Sequence, residues 1–175
     1  MENYLVVNIL AENTNENIRK FSKLAKSSQC NVIDCHFKVM GQYLSAIFLF
    51  SGSWNAIAKM ENMLTKLENE CNIIIQKKRT EIEKLQADYM PYVIDIVGPG
   101  HANIMYDITD FIINSNLLIK KISTSTYEAS QTGIKMFALH MIVHIPSNSS
   151  IATIRGEFTE FCDQFNLDTI MEPLK

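Results

Sequence analysis

No apolar run in this 175-residue chain approaches the roughly 20 residues that a helix needs to span a bilayer. An excess of positive charge is missing too. The 16 Lys and Arg stand against 19 Asp and Glu, for a net charge of −3. That leaves no electrostatic footprint for tight DNA binding by the chain on its own. The four cysteines, Cys30, Cys35, Cys71 and Cys162, show no CxxC spacing, so buried free thiols are expected. Six glycines and four prolines exclude a collagen-like or linker-like chain. The segment from Met1 lacks a basic n-region, and Asn8, Glu12 and Asn13 interrupt its apolar stretch. It does not read as a signal peptide, and a cytoplasmic location is the expectation. What is present is ordinary globular composition: 47% hydrophobic and 20% charged, ample for a core.

The pattern along the chain has a definite order. Residues 4–10 are short and β-branched, hence a strand. Ile18, Phe21, Leu24 and Ala25 follow at helical spacing, with Asn13 and Glu16 as a capping box. Residues 30–40 alternate, which predicts a half-buried strand with Val32, Asp34, His36 and Lys38 on one face. Gly41-Gln42 reads as the turn to a strand at 43–50. Ser53 caps a helix carrying Ile57, Met60, Leu64 and Leu67, and 72–79 is a fourth strand. Strand, helix, strand, strand, helix, strand is the ferredoxin-like order, with both helices on one face of an antiparallel sheet.

The order then repeats. Residues 81–90 are charged and polar and read as a linker between a domain at 1–80 and another at 91–175. A strand at 92–97 leads to a tight turn at Gly98-Pro99-Gly100-His101 and a helix with Met105, Ile108, Phe111 and Ile112. A hairpin at 116–127 and 134–145 follows. Ser149 or Ser150 caps a helix with Ile154, Phe158, Phe161 and Phe165, and a strand at 167–171 closes the unit. An offset of 87 lays Asn8-Ile9-Leu10 on Asp95-Ile96-Val97 and Phe21, Leu24 and Ala25 on Ile108, Phe111 and Ile112. Internal duplication follows. Residues 1–79 hold 10 basic and 7 acidic residues, and 91–175 hold 5 and 9, so the halves differ in charge. A sheet covered on one side only predicts that the halves, or two chains as a homodimer, pair.

Catalytic and metal patterns are hard to find. GxSxG, GxxxxGK[ST] and GxGxxG are all missing. His36 beside Cys35 faces the other way on a strand. His140 and His144 lie about 13 Å apart on a strand, too far to share an ion. No metal and no cofactor are expected. RNA-recognition modules share the βαββαβ order but need aromatics in a basic motif on the sheet, and none fits. The most pointed feature is the turn at 98–103. Glycines admit a ligand close to the backbone, and a helix start offers N–H donors to a carboxylate. The candidate ligand site is Asp95, Gly98, Pro99, Gly100, His101, Ala102 and Asn103, with Asp95 or Asn103 holding an ammonium and Gly100 to Asn103 the carboxylate. Asn13, Thr14 and Asn15, at the matching turn of the first repeat, form a second candidate site.

The duplicated unit with a small-residue turn after its first strand resembles a tandem pair of ACT domains, regulatory modules that bind amino acids. The likeness narrows at Leu49-Phe50-Ser51-Gly52-Ser53-Trp54-Asn55-Ala56-Ile57, which resembles the LSGSWNAI segment of the glycine cleavage system transcriptional repressor family. Cys30-Asn31-Val32-Ile33-Asp34 resembles that family's CNIxD strand, and Lys78-Arg79-Thr80 its KRT. The resemblance implies a repressor without a DNA-binding domain. Such a repressor acts on a LysR-type activator of the glycine cleavage operon and is relieved by glycine. The family's GxDRPG-like turn in the first repeat is replaced here by residues 11–17, without Gly or Pro, which favours the second turn for the ligand. Alternatives are an ACT-type regulator of a metabolic enzyme and an acylphosphatase-like hydrolase of the same element order. The hydrolase needs an Arg in the loop after the first strand, and neither 11–17 nor 98–103 contains one. Trp54, the single Trp, is expected in a core or between domains.

Overall fold

A computed structural model describes residues 2–82 and 88–174. Part of the stretch read as a linker, 83–87, lies outside the described residues. Backbone contacts divide the chain into two compact units, Met1–Lys84 and Leu85–Lys175. The first contains β1 (Asn3–Glu12), α1 (Asn15–Ser28), β2 (Asn31–Met40), β3 (Tyr43–Gly52), α2 (Trp54–Glu70) and β4 (Ile74–Thr80). The second contains β5 (Tyr89–Pro99), α3 (Ile104–Asn114), β6 (Leu118–Glu128), β7 (Lys135–Pro146), α4 (Ile151–Gln164) and β8 (Asp168–Pro173). The sheet orders are β2-β3-β1-β4 and β6-β7-β5-β8, antiparallel throughout. The expected pair of ferredoxin-like units, with strand order repeated, is what the chain forms.

Each core lies between one sheet face and its two helices. In the first unit Leu5, Val7 and Ile9 of β1 and Phe48 and Phe50 of β3 meet Phe21 of α1 and Ile57, Met60 and Leu64 of α2. In the second, Ile94, Ile96, Leu139 and Met141 meet Ile108 and Ile112 of α3 and Phe158 of α4. Each such side chain contributes about 1.5–3 kcal/mol on burial. The opposite sheet faces carry Leu10, Ile47 and Ile74 in the first unit and Val97 and Ile170 in the second, all exposed.

Four local expectations are corrected. β2 is not half-buried: only Cys35 is partly covered, because β2 is an edge strand outside the helical layer. A bulge between Val32 and Asp34 then changes the face of Val32, which pairs with core-facing Phe50 while Asp34 pairs with Leu49. The same irregularity recurs between Ile119 and Lys121 in β6. The cap of α1 is Thr14, whose side chain accepts from the Asn17 N–H at 3.2 Å, rather than Asn13. β5 starts at Tyr89, before Pro91, a residue that reads as a boundary but here enters the strand. Trp54 is 60% exposed, so it is no core residue of its unit. It opens α2 with the Arg79 guanidinium 5.6 Å from its ring, and Arg79 is also paired to Glu61 at 2.8 Å. That ion pair holds the Glu61 carboxyl below its ordinary range.

The thiols divide by burial. Cys30 and Cys162 are buried, and Cys35 and Cys71 are half-buried. Desolvation pushes the Cys162 thiol up to about 11, so it is protonated at neutral pH and inert as a nucleophile. Ser51 is 0% exposed, and among the described residues its hydroxyl has no hydrogen-bond partner. An unpaired buried hydroxyl carries a desolvation penalty of about 1–3 kcal/mol. Ser51→Ala is therefore expected to raise stability by about 1 kcal/mol, read as a higher urea midpoint at unchanged slope.

Candidate functional site

The two turns after the first strand of each repeat differ in how their backbone donors are used. In the first repeat the turn is closed on itself. The Asn13 N–H donates to the Gln42 carbonyl at 3.0 Å, and the Thr14 N–H donates to the Glu12 carbonyl at 2.9 Å. Thr14 Oγ1 accepts from the Asn17 N–H, and Asn17 Nδ2 donates to the Glu12 carbonyl at 2.9 Å. Of the second candidate set Asn13, Thr14 and Asn15, the first two have thus committed their N–H groups.

In the second repeat the turn is shorter than its glycines suggest. Gly98 and Pro99 belong to β5, paired with Phe137 and Met136. The Gly100 N–H is already donated to the Lys135 carbonyl at 3.2 Å, so it is not available to a carboxylate. What remains is His101-Ala102-Asn103, leading into α3. Asn103 occupies the cap position in helical conformation (φ −102°, ψ 0°), and its side chain makes no capping hydrogen bond. The Ile104 N–H bonds back to the His101 carbonyl at 3.3 Å, and the Asp107 N–H to that of Asn103 at 3.0 Å. This start of α3 lacks the self-closure that Thr14 gives α1.

The remaining predicted residues are not gathered around that point. Asp95 shares its strand with core-facing Ile94 and Ile96 but points to the other, open face. There its Oδ1 lies 2.7 Å from His140 Nδ1, with both side chains about half exposed. The helices occupy the opposite side of the sheet, so Asp95 and Asn103 do not grip one small molecule between them. The His101 ring stacks on Phe165, with centroids 5.3 Å apart and planes at 25°. Gly98 serves packing: a Cβ there would lie 2.6 Å from Leu167 Cδ2 and 2.9 Å from the Asn166 carbonyl oxygen. Gly100 has an ordinary negative-φ backbone and only ordinary neighbours, so neither conformation nor space demands glycine.

Sequence reading missed the row of rings beside this turn. Phe111 of α3 stacks with Phe161 of α4 at 4.8 Å, and Phe161 meets Phe165 at 5.2 Å. The spacing of Phe158, Phe161 and Phe165 marked them all as core. Only Phe158 is fully buried, and the other two face a groove. Among the described residues, no three His, Cys, Asp or Glu are placed to hold a metal ion, and no helix is long and apolar enough to cross a membrane.

Residues 3–78 match the model of the ACT domain family. That match spans the first repeat. The second repeats its strand order and register pattern, so the architecture is a tandem of ACT-type folds. Over 165 residues, covering 94% of this chain and 87% of that protein, the sequence is 22% identical to the glycine cleavage system transcriptional repressor of Escherichia coli (strain K12). The Shigella flexneri protein of the same name matches equally. Among solved structures, a protein from Galdieria sulphuraria described as unknown aligns with a TM-score of 0.78 at 18% identity, over 100% of both chains. A candidate glycine cleavage system transcriptional repressor aligns at 0.71 and 18% identity, over 100% of this chain and 99% of that one. These two carry the tandem fold. The resemblance to the repressor family read at residues 30–34, 49–57 and 78–80 is borne out, and the similarity extends along both ACT-type units. The likeness is to ACT-type regulators.

Proposed function

We propose that this tandem ACT protein is a glycine-responsive repressor that acts on a LysR-type activator of the glycine cleavage operon rather than on DNA. The observation that supports it most is the likeness to the Escherichia coli repressor, which runs through both units rather than one. The net charge of −3 agrees with a protein partner. The test is co-purification of the full chain with the LysR-type activator of its own genome. Capture without glycine and release at millimolar glycine are expected. Failure to capture the activator, or retardation of operator DNA by this chain alone, overturns the reading.

For the ligand, the proposal narrows to the start of α3, where Ala102, Asn103 and the residues just after Ile104 would offer backbone donors to a carboxylate with no cap from the Asn103 side chain. Asp95 leaves the set, being engaged with His140 on the other face, and so does the Gly100 N–H. Asn103→Asp would place a carboxylate at the position proposed for that of glycine and would set a negative charge at the positive end of the α3 dipole. Glycine affinity in calorimetry is expected to fall about ten-fold or more while the melting temperature holds or rises. Unchanged affinity moves the ligand elsewhere.

A further inference from the structure

The surface formed by α3 and α4 combines an aromatic groove with unpaired negative charge. In the first unit α1 and α2 bring their backbones close together, whereas α3 and α4 stand apart with phenylalanine rings between them. The groove has a volume of about 320 Å³ and is lined by Phe111, Phe161 and Phe165 together with Asp107, Asp110 and Asn114. Its phenylalanines are only half-buried. The two helices carry Asp107, Asp110, Glu157, Glu160 and Asp163 against a single cation, Arg155. Among the described residues none of these carboxylates forms an ion pair with a Lys, Arg or His. Asp110 accepts from Asn114 Nδ2 at 2.9 Å, which leaves most of its acceptor capacity open.

We infer that the α3–α4 groove docks a basic segment of a protein partner, with an arginine side chain lying on Phe161 and Phe165 and paired to Asp107 and Asp110. This deepens the proposed function and rests on its claim that the chain works through a protein. The chemistry selects the occupant. An acidic rim repels nucleic acid phosphates and lipid headgroups of the same sign. A wholly apolar segment would desolvate the carboxylates without pairing them. Arginine meets both surfaces at once: its apolar stem and planar guanidinium lie on aromatic rings, and its fork bonds two carboxylate oxygens. Lysine, a strongly hydrated point charge, matches only the rim. The groove has room for one long side chain rather than for a helix, so the rest of the segment lies across the surface, near Glu157 on the turn before Phe161.

The test uses the full chain and a fluorescein-labelled amphipathic peptide of Ala, Leu and Arg, with a twin in which every Arg is Lys. Binding is read by anisotropy at physiological salt. Asp107→Asn with Asp110→Asn is expected to weaken the Arg peptide by about ten-fold, or 1.4 kcal/mol. Glu160→Gln with Asp163→Asn removes the same charge from positions that do not line the groove, and it should change affinity by less than about two-fold. The Lys twin should bind several-fold more weakly. Equal losses in both variant pairs or equal affinity for the two peptides overturns the inference. Sedimentation of wild type and groove variant checks for a second copy; self-association lost only in the variant also overturns it. The activator then separates the two proposals. Capture by wild type and groove variant alike leaves the repressor reading standing and removes the groove. Peptide binding at the groove without activator capture does the reverse.

Discussion

Gly98→Ala is expected to lower the melting temperature of the second unit by about 10–20 °C, from a loss of about 2–3 kcal/mol. β5 passes so close to the α4–β8 connection that even one methyl group has nowhere to go. The new Cβ would sit 2.9 Å from the Asn166 carbonyl oxygen and 3.1 Å from Leu167 Cα, and both are backbone atoms. Leu167 Cδ2, at 2.6 Å, can swing away, but the backbone cannot move without disturbing the left-handed turn at Asn166 (φ 54°) and the start of β8. Gly100→Ala is the control. Its Cβ would meet Phe137 Cβ at 3.5 Å, an ordinary contact, and the change should stay within about 0.5 kcal/mol. Differential scanning calorimetry of the two variants decides the matter. Similar melting temperatures for both would mean that the close approach at Gly98 is not what fixes this glycine.

Phe158→Ala is the larger loss, about 3–5 kcal/mol by urea unfolding. Phe158 is 1% exposed and sits beneath the groove, 5.3 Å from the Phe111 ring and 6.2 Å from that of Phe161. Removing its ring opens a cavity under α4 and frees the rings that hold α3 and α4 at their separation. That loss is comparable to the whole stability of a small domain. Weakened near-ultraviolet dichroism with retained far-ultraviolet signal is expected, together with loss of any peptide binding at the groove. Phe158→Leu should recover more than half of the stability. A cost below about 1 kcal/mol for Phe158→Ala would show that α4 is not anchored by this ring.

The candidate site was legible only in part, and the reasons are local. The turn after β5 announced itself through Gly98 and Gly100, yet the close approach that demands glycine is at Gly98 alone and is made to the protein's own backbone. Gly98 makes room for Leu167, and the Gly100 N–H completes the pairing with Lys135. Neither partner is near in sequence, so neither could be read from the motif. Asp95 looked adjacent to the turn because it precedes Gly98 by only three positions. A strand alternates its faces, and burial of Ile94 and Ile96 sends Asp95 to the far side, where His140 meets it. Thr14 rather than Asn13 caps α1 because the chain leaves β1 two residues later than its apolar pattern ends.

What the sequence determined by itself is the duplicated βαββαβ order, the helix stripes built on Phe21 and Ile57 or Ile108 and Phe158, the Ser53 cap, a serine cap for α4 at Ser149 or Ser150, and the hairpin turn at Gly41. Those features depend on side-chain periodicity and on turn chemistry within a few residues, and both are written locally. Tertiary structure alone decided which strands lie at the edges. The alternation in β2 promises burial, but two helices cover only part of a four-stranded sheet, and β2 is left outside. It also decided which of Phe158, Phe161 and Phe165, along α4 and at its C-terminal cap, enter the core. Packing against the sheet and α3 buries Phe158 and leaves Phe161 and Phe165 along a groove. Helical spacing marks a stripe, but its inner and outer edges are set by the neighbours it meets.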